Sequence, residues 1–194
     1  MGIPREPFGY AQGHGHEQGR VGLRRDYTPT PDITKTYLLG ILHDATTRKT
    51  TYRIASKSKY FCELLKRGIE KLDAKAWIYK EGRNRNLWIT EFSKTLLKGI
   101  KIKSRENKIS YIRGYFDAEG GIAINSKVRF YIYFCQKDKT DLLKVKTYLE
   151  DVGIVCGKIH NPSKSVDPNY WRFFVSVKSY KEFARIIGSN HPEK

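Results

Sequence analysis

From about residue 31 to the end, the sequence runs through the same order of segments twice, and this repetition restricts the available folds more than composition does. Each half opens with an apolar stretch built around a glycine. In the first half it is Tyr37-Leu38-Leu39-Gly40-Ile41-Leu42-His43-Asp44-Ala45, and in the second Tyr111-Ile112-Arg113-Gly114-Tyr115-Phe116-Asp117-Ala118-Glu119. A polar, β-branched stretch follows the first, then residues 58–66 with apolar side chains at helical spacing. Two short strands are expected around 77–79 and 87–89, and a closing helix near 92–97. The second half predicts a strand at 128–135, a helix at 139–149, strands at 158–160 and 171–177, and a closing helix at 180–187. Each half therefore reads α-β-β-α-β-β-α. The expected fold is α+β, with two pseudo-symmetric repeats, 31–105 and 106–194, in one monomer.

Residues 1–30 do not take part in the repeat. They hold six glycines and three prolines with little apolar periodicity, the pattern of a flexible arm. The arm has four arginines against three acids, so nearly all of the +17 formal charge falls on the body. A body so basic, with 13% aromatic residues, points to a polyanion as partner. No apolar run reaches the length of a membrane span. Three cysteines (Cys62, Cys135 and Cys156) form no paired motif, and a reducing, intracellular (cytoplasmic) setting is expected.

Strand alternation separates two faces. In the second half Lys127, Arg129, Tyr131 and Tyr133 share one face, while Val128, Phe130, Ile132 and Phe134 share the other. Lys49, Thr51 and Arg53 form the corresponding face of the first half, and Arg172 lies opposite the apolar set Trp171, Phe173, Val175 and Val177. The charges on these polar faces are all positive. Lys57, Arg83, Arg85 and Lys164 add basic groups in the turns. A small sheet of this kind fits the major groove, where Arg and Lys bond guanine edges or phosphates.

A glycine inside a helix costs about 1 kcal/mol relative to alanine. Gly40 and Gly114 make sense if the two helices cross too closely for a Cβ. The acids at the helix ends, Asp44 and Glu119, would then lie side by side. Two adjacent carboxylates repel each other, and a divalent cation would relieve the repulsion and activate water for phosphodiester attack.

The stretch Ile112-Arg113-Gly114-Tyr115-Phe116-Asp117-Ala118-Glu119-Gly120 resembles the LAGLIDADG motif of homing endonucleases. Gly, Asp, Ala, an acid and Gly stand at positions three, six, seven, eight and nine. The first copy, Leu38-Leu39-Gly40-Ile41-Leu42-His43-Asp44-Ala45-Thr46, keeps the glycine but carries its acid one place early. The resemblance implies a monomeric, intron-encoded endonuclease. Its saddle-shaped antiparallel β-surface would lie on a long pseudo-palindromic site in double-stranded DNA, with the motif helices at the repeat interface. Asp44 and Glu119 would bind Mg²⁺ over the minor groove, and both strands would be cut to leave 3′ overhangs. The family also places accessory polar residues beside the metals. Gln136 matches one such place and Lys103, just before the next helix, another. Two alternatives use the same basic surface without cleavage: a maturase that binds host intron RNA, and a DNA-binding regulator.

Overall fold

The computed structural model describes residues 32–125 and 128–194. The expectations for the glycine-rich arm and for Lys127 lie outside the described residues.

The first half begins with α1 (Lys35–Ile41). The Thr34 hydroxyl accepts from the Tyr37 backbone N–H and satisfies one of the helix's free donors. A 3-10 turn, Leu42–Asp44, continues α1. Then come β1 (Thr46–Thr47), β2 (Thr51–Ser56), α2 (Lys59–Glu70), β3 (Ala76–Lys80) and β4 (Trp88–Ser93). The strands pair antiparallel in the order β1-β2-β4-β3. The closing helix expected near 92–97 does not form. Phe92 is a fully buried side chain of β4, opposite Tyr52 and Ala76, so the strand holds this segment. Beyond it a single 3-10 turn, Lys94–Leu97, fits between the Ser93 cap and Gly99, whose φ is +75°.

The second half repeats the order with α3 (Arg105–Glu119), β5 (Gly120–Asn125), β6 (Val128–Gln136), α4 (Lys139–Asp151), β7 (Trp171–Phe174) and α5 (Tyr180–Ile186). Its sheet is antiparallel in the order β5-β6-β7. The strand expected at 158–160 is reduced to two single bridges, Cys156 to Val175 and His160 to Arg172. These stand where β3 stands in the first half. They are one residue out of register and Gly157 lies between them, so no continuous ladder forms. Asn161 ties the following loop to itself, donating to the carbonyls of Asp167 and Pro168 at 2.9 Å each.

Each sheet carries its own core. Leu38, Ile54, Phe61, Leu65, Ile69 and Phe92 fill the first. Ile112, Phe116, Phe134, Leu142, Phe173 and Phe183 fill the second, with Phe134 stacked on Phe173 at 5.2 Å. Phe61, Leu65 and Ile69 recur every four residues, so α2 turns one stripe inward. Leu39 packs against both cores. Among the described residues no helix is long and apolar enough to cross a membrane.

Candidate nuclease site at the helix crossing

The two glycines set the approach of α1 and α3. A Cβ on Gly40 would lie 2.1 Å from the Tyr111 carbonyl oxygen and 2.7 Å from the Tyr115 nitrogen. A Cβ on Gly114 would lie 2.0 Å from the Tyr37 carbonyl oxygen and 3.0 Å from the Ile41 nitrogen. The contacts are reciprocal, as two-fold pseudo-symmetry requires. They are backbone contacts, so no rotamer change could make room for a side chain.

Two tyrosines fasten the crossing, each three residues before its glycine. The Tyr37 hydroxyl donates to Asp117 Oδ2 at 2.7 Å, and the Tyr111 hydroxyl lies 2.7 Å from His43 Nε2. Asp117 also accepts from the Ser189 hydroxyl at 2.5 Å and the Asn190 backbone N–H at 3.0 Å. Burial pushes the Asp117 carboxyl above the usual range, against the pull of these donors. The His43 Nδ1 lies 3.5 Å from Asp141. Burial holds this imidazole below its ordinary pKa, with Asp141 opposing.

The acids lie at the far ends of these helices. α3 stays α-helical through Glu119, five residues past its glycine, whereas Asp44 is only four past Gly40. The 3-10 turn makes up the difference. Five α steps advance roughly 7.5 Å, and one α step with three 3-10 steps advances about the same. The shorter motif thus brings its acid to the same depth, close enough that Asp44's charge raises the Glu119 pKa. Burial is the larger cause of that rise, and Gln136 opposes it by donating Nε2–H to Glu119 Oε1 at 3.0 Å. Desolvation also raises the Asp44 pKa, opposed by Lys194. Ser56 ends β2 as Gln136 ends β6. It lines, with Asp44, Phe61, Asp117, His191 and Lys194, a cavity of about 220 Å³. Among the described residues, no group of three or more His, Cys, Asp or Glu side chains is placed to share a metal.

Lys103 is not brought to this site. It is exposed, just before the start of α3, while Glu119 ends that helix about 20 Å away along the axis. Three contributors had no signal in the sequence reading. His43 stands where the second motif has an acid. His191 and Lys194 arrive from more than 70 residues beyond α3's motif by tertiary folding alone.

The two sheet faces differ. On the second, Tyr131 meets Phe174 edge-on at 5.1 Å and Tyr133 at 5.9 Å. The Arg172 guanidinium lies 5.0 Å over the Phe174 ring, and its buried Nε has no hydrogen-bond partner. Arg129 is exposed, and neither arginine is in an ion pair among the described residues. The first face does not fit the expectation of positive charge alone. Arg53 pairs with Glu81 at 3.2 Å and Glu91 at 3.8 Å. Glu91 also accepts from Thr51 and Tyr79 at 2.5 Å each. The reason is register: Glu91 of β4 stands directly opposite Arg53 of β2, a pairing no single strand reveals. Lys49, Lys57, Arg83, Arg85 and Lys164 are exposed in turns, with Arg85 3.3 Å from Glu81.

Residues 106–188 match the family model of a LAGLIDADG-like domain. No curated protein sequence matches the chain. Among solved structures it is similar to I-DmoI in complex with DNA and Mn, at 22% identity and TM-score 0.58, over 81% of this chain and 97% of that one. It is also similar to full-length DUF199/WhiA from Thermatoga maritima, at 19% identity and TM-score 0.63, over 79% of this chain and 54% of that one. The N-terminal LAGLIDADG domain of DUF199/WhiA aligns at 17% identity and TM-score 0.62, over 85% and 86%. At these identities the structural likeness is one of fold.

Proposed function

We propose, from the match of residues 106–188 to the LAGLIDADG-like domain model and the likeness of the body's fold to LAGLIDADG structures, that the protein is a site-specific double-strand DNA endonuclease. One arrangement supports this reading above the rest: Asp44 ends the 3-10 turn that continues α1 and Glu119 ends α3, near enough for the charge of Asp44 to act on Glu119, with Ser56 and Gln136 at the ends of β2 and β6. I-DmoI has been captured in complex with DNA and Mn and with DNA and Ca, and a variant of it with target DNA in the presence of Mg. The same partner and a divalent cation, Mg²⁺, are proposed here.

The donor set suits that ion. Two partly desolvated carboxylates with raised pKa values carry repulsion that a cation relieves. Mg²⁺ commonly takes one or two protein carboxylates and fills its remaining positions with water and phosphate oxygens. When bound, it would supply charge to the phosphate oxygens and lower the pKa of a water. The protein's own residues position these parts. Gln136 orients Glu119, and its Oε1 is in turn held by the Lys137 backbone N–H at 2.6 Å. Asp44 and Ser56 serve the other strand. Arg129, Tyr131, Tyr133 and Arg172 would contact DNA from the second sheet, and binding should weaken steeply with salt.

Glu119→Gln tests the reading. It should keep DNA binding and slow the cutting of one strand by roughly 10²–10³-fold. Wild-type cutting of both strands by this variant would contradict the mechanism. A second reading, binding without cleavage, draws on His43 standing where the second motif has Asp117. Preference for structured intron RNA over duplex DNA, with no metal-dependent cutting, would favour a maturase.

A further inference from the structure

The second sheet carries an apolar groove that the repeated fold does not require. Counted from the strand ends Ser56 and Gln136, which face Trp88 and Trp171, the two halves match residue by residue. Phe130 stands where the first half has Thr50, and Val177 where it has Lys94. Cys156 bridges to Val175 as Ala76 pairs with Phe92, so Val155 stands where the first half has Lys75. Three polar or charged positions of the first half are thus apolar in the second. All three side chains still meet solvent, with Phe130 42%, Val155 43% and Val177 51% exposed. Phe130 is six strand residues, roughly 20 Å, from Gln136, so the groove is separate from the acid pair.

The backbone gives the reason for the opening. In the first half the Lys94 N–H bonds the Thr50 carbonyl at 3.0 Å, and the Lys94 ammonium lies 5.5 Å over the Tyr52 ring. In the second half the Phe130 carbonyl accepts instead from the Tyr180 hydroxyl at 3.3 Å, and the two rings meet edge-on at 5.1 Å. Tyr180 becomes one wall of a groove of about 490 Å³, which Phe130, Val155, Cys156 and Val177 also line. Arg129 and Lys178 border the same space, and neither is in an ion pair among the described residues.

Three half-exposed side chains offer far less than the roughly 800 Å² per partner of a stable dimer interface. A second copy is further opposed by the chain's net charge of +17. An undistorted duplex would satisfy the two cations but presents no protruding apolar group to fill a concave groove. A short acidic segment does both. We propose that this groove is a docking site for an acidic segment of a partner protein, which seats one aromatic or branched apolar side chain among Phe130, Val155 and Val177 and sets carboxylates against Arg129 and Lys178. The inference does not depend on the nuclease reading. Arg129 also belongs to the DNA-facing side, so an occupied groove and a bound duplex would share its charge.

The test selects nine-residue peptides from a random displayed library on the full chain, then measures the enriched peptides by fluorescence anisotropy. The comparison proteins are Lys178→Glu and the triple variant Phe130→Thr, Val155→Thr, Val177→Thr. Threonine is β-branched like valine and all three positions are exposed, so the triple variant should fold. Enriched peptides should carry an apolar residue flanked by acids. They should bind the triple variant roughly tenfold or more weakly, the loss of one buried apolar anchor, and Lys178→Glu also more weakly than wild type. Affinity of the triple variant for duplex DNA should match wild type. Peptides without acids, or equal binding to wild type and the triple variant, would overturn the proposal. An equal loss of duplex affinity in the triple variant would overturn it too, by assigning the groove to DNA.

Discussion

α1 and α3 are alike up to their glycines and unlike beyond them. Tyr37 and Tyr111 stand at equal distance before Gly40 and Gly114, and each glycine meets the other helix's backbone at about 2 Å from its missing Cβ. Past that point the second helix places Asp117, which collects Tyr37, Ser189 and Asn190. The first places His43, held by Tyr111 and Asp141. The second helix reaches its acid by ordinary α geometry and the first by tightening into a 3-10 turn. The sheets repeat the contrast, with Arg172 in no ion pair among the described residues and Arg53 tied to Glu81 and Glu91. Pseudo-symmetry is strict where backbones touch, because nothing there can yield. It is relaxed where side chains meet solvent or partner, and there the halves can specialise.

The largest effects should come from the acids. Asp44→Asn and Glu119→Gln should each slow cutting of one strand by roughly 10²–10³-fold, comparable to removing an electrostatic stabiliser from other sites. Strand-resolved cleavage assays check this, and equal loss on both strands in either variant would break the division of labour. Next are the glycines. Gly40→Ala and Gly114→Ala should each cost about 3 kcal/mol or more in unfolding free energy, at the upper end for overpacking. Similar costs would confirm reciprocity at the crossing, and a cheap substitution at one glycine would show that the helices can slide apart there. The tyrosines should differ. Tyr37→Phe removes a hydrogen bond to a carboxylate and should cost about 2 kcal/mol, against about 1 kcal/mol for Tyr111→Phe, by denaturant titration.

The motif glycines and their spacing made the crossing helices legible in the sequence, because close approach demands them whatever surrounds it. The strands of the first half were legible from alternation. The bridges at Cys156 and His160 were not, because the one-residue slip around Gly157 is settled by packing. Gln136 was singled out only through the family resemblance and here bonds Glu119, whereas Lys103, singled out in the same way, lies at the start of α3 and Glu119 at its far end. Lys194 and His191 join the site through long-range contacts that leave no local pattern. Arg53 was read as a free charge because its partner Glu91 lies on another strand.

Smaller effects sharpen the contrast between the sheets. Arg172→Ala should weaken DNA binding and reduce the slope of log affinity against log salt by about 1. Arg53→Ala should leave the slope nearly unchanged, since Arg53 is already neutralised by Glu81 and Glu91. Smallest is a pH effect at His43. Its folded pKa lies below the ordinary value of 6.5, through burial and Lys144, with Asp141 and Asp138 opposing. The folded state therefore resists its protonation, and the stabilisation it gives at neutral pH is lost as pH falls through 6.5. His43→Gln should flatten the decline in melting temperature between about pH 7 and pH 5.

The most direct test of the central claim is Mg²⁺-dependent cleavage of a large, diverse duplex DNA library by the full chain, with ends sequenced and EDTA as control. The two-acid site at the helix crossing predicts paired, staggered cuts at one discrete sequence, absent with EDTA. Tight, salt-sensitive binding with no cut on either strand would contradict it.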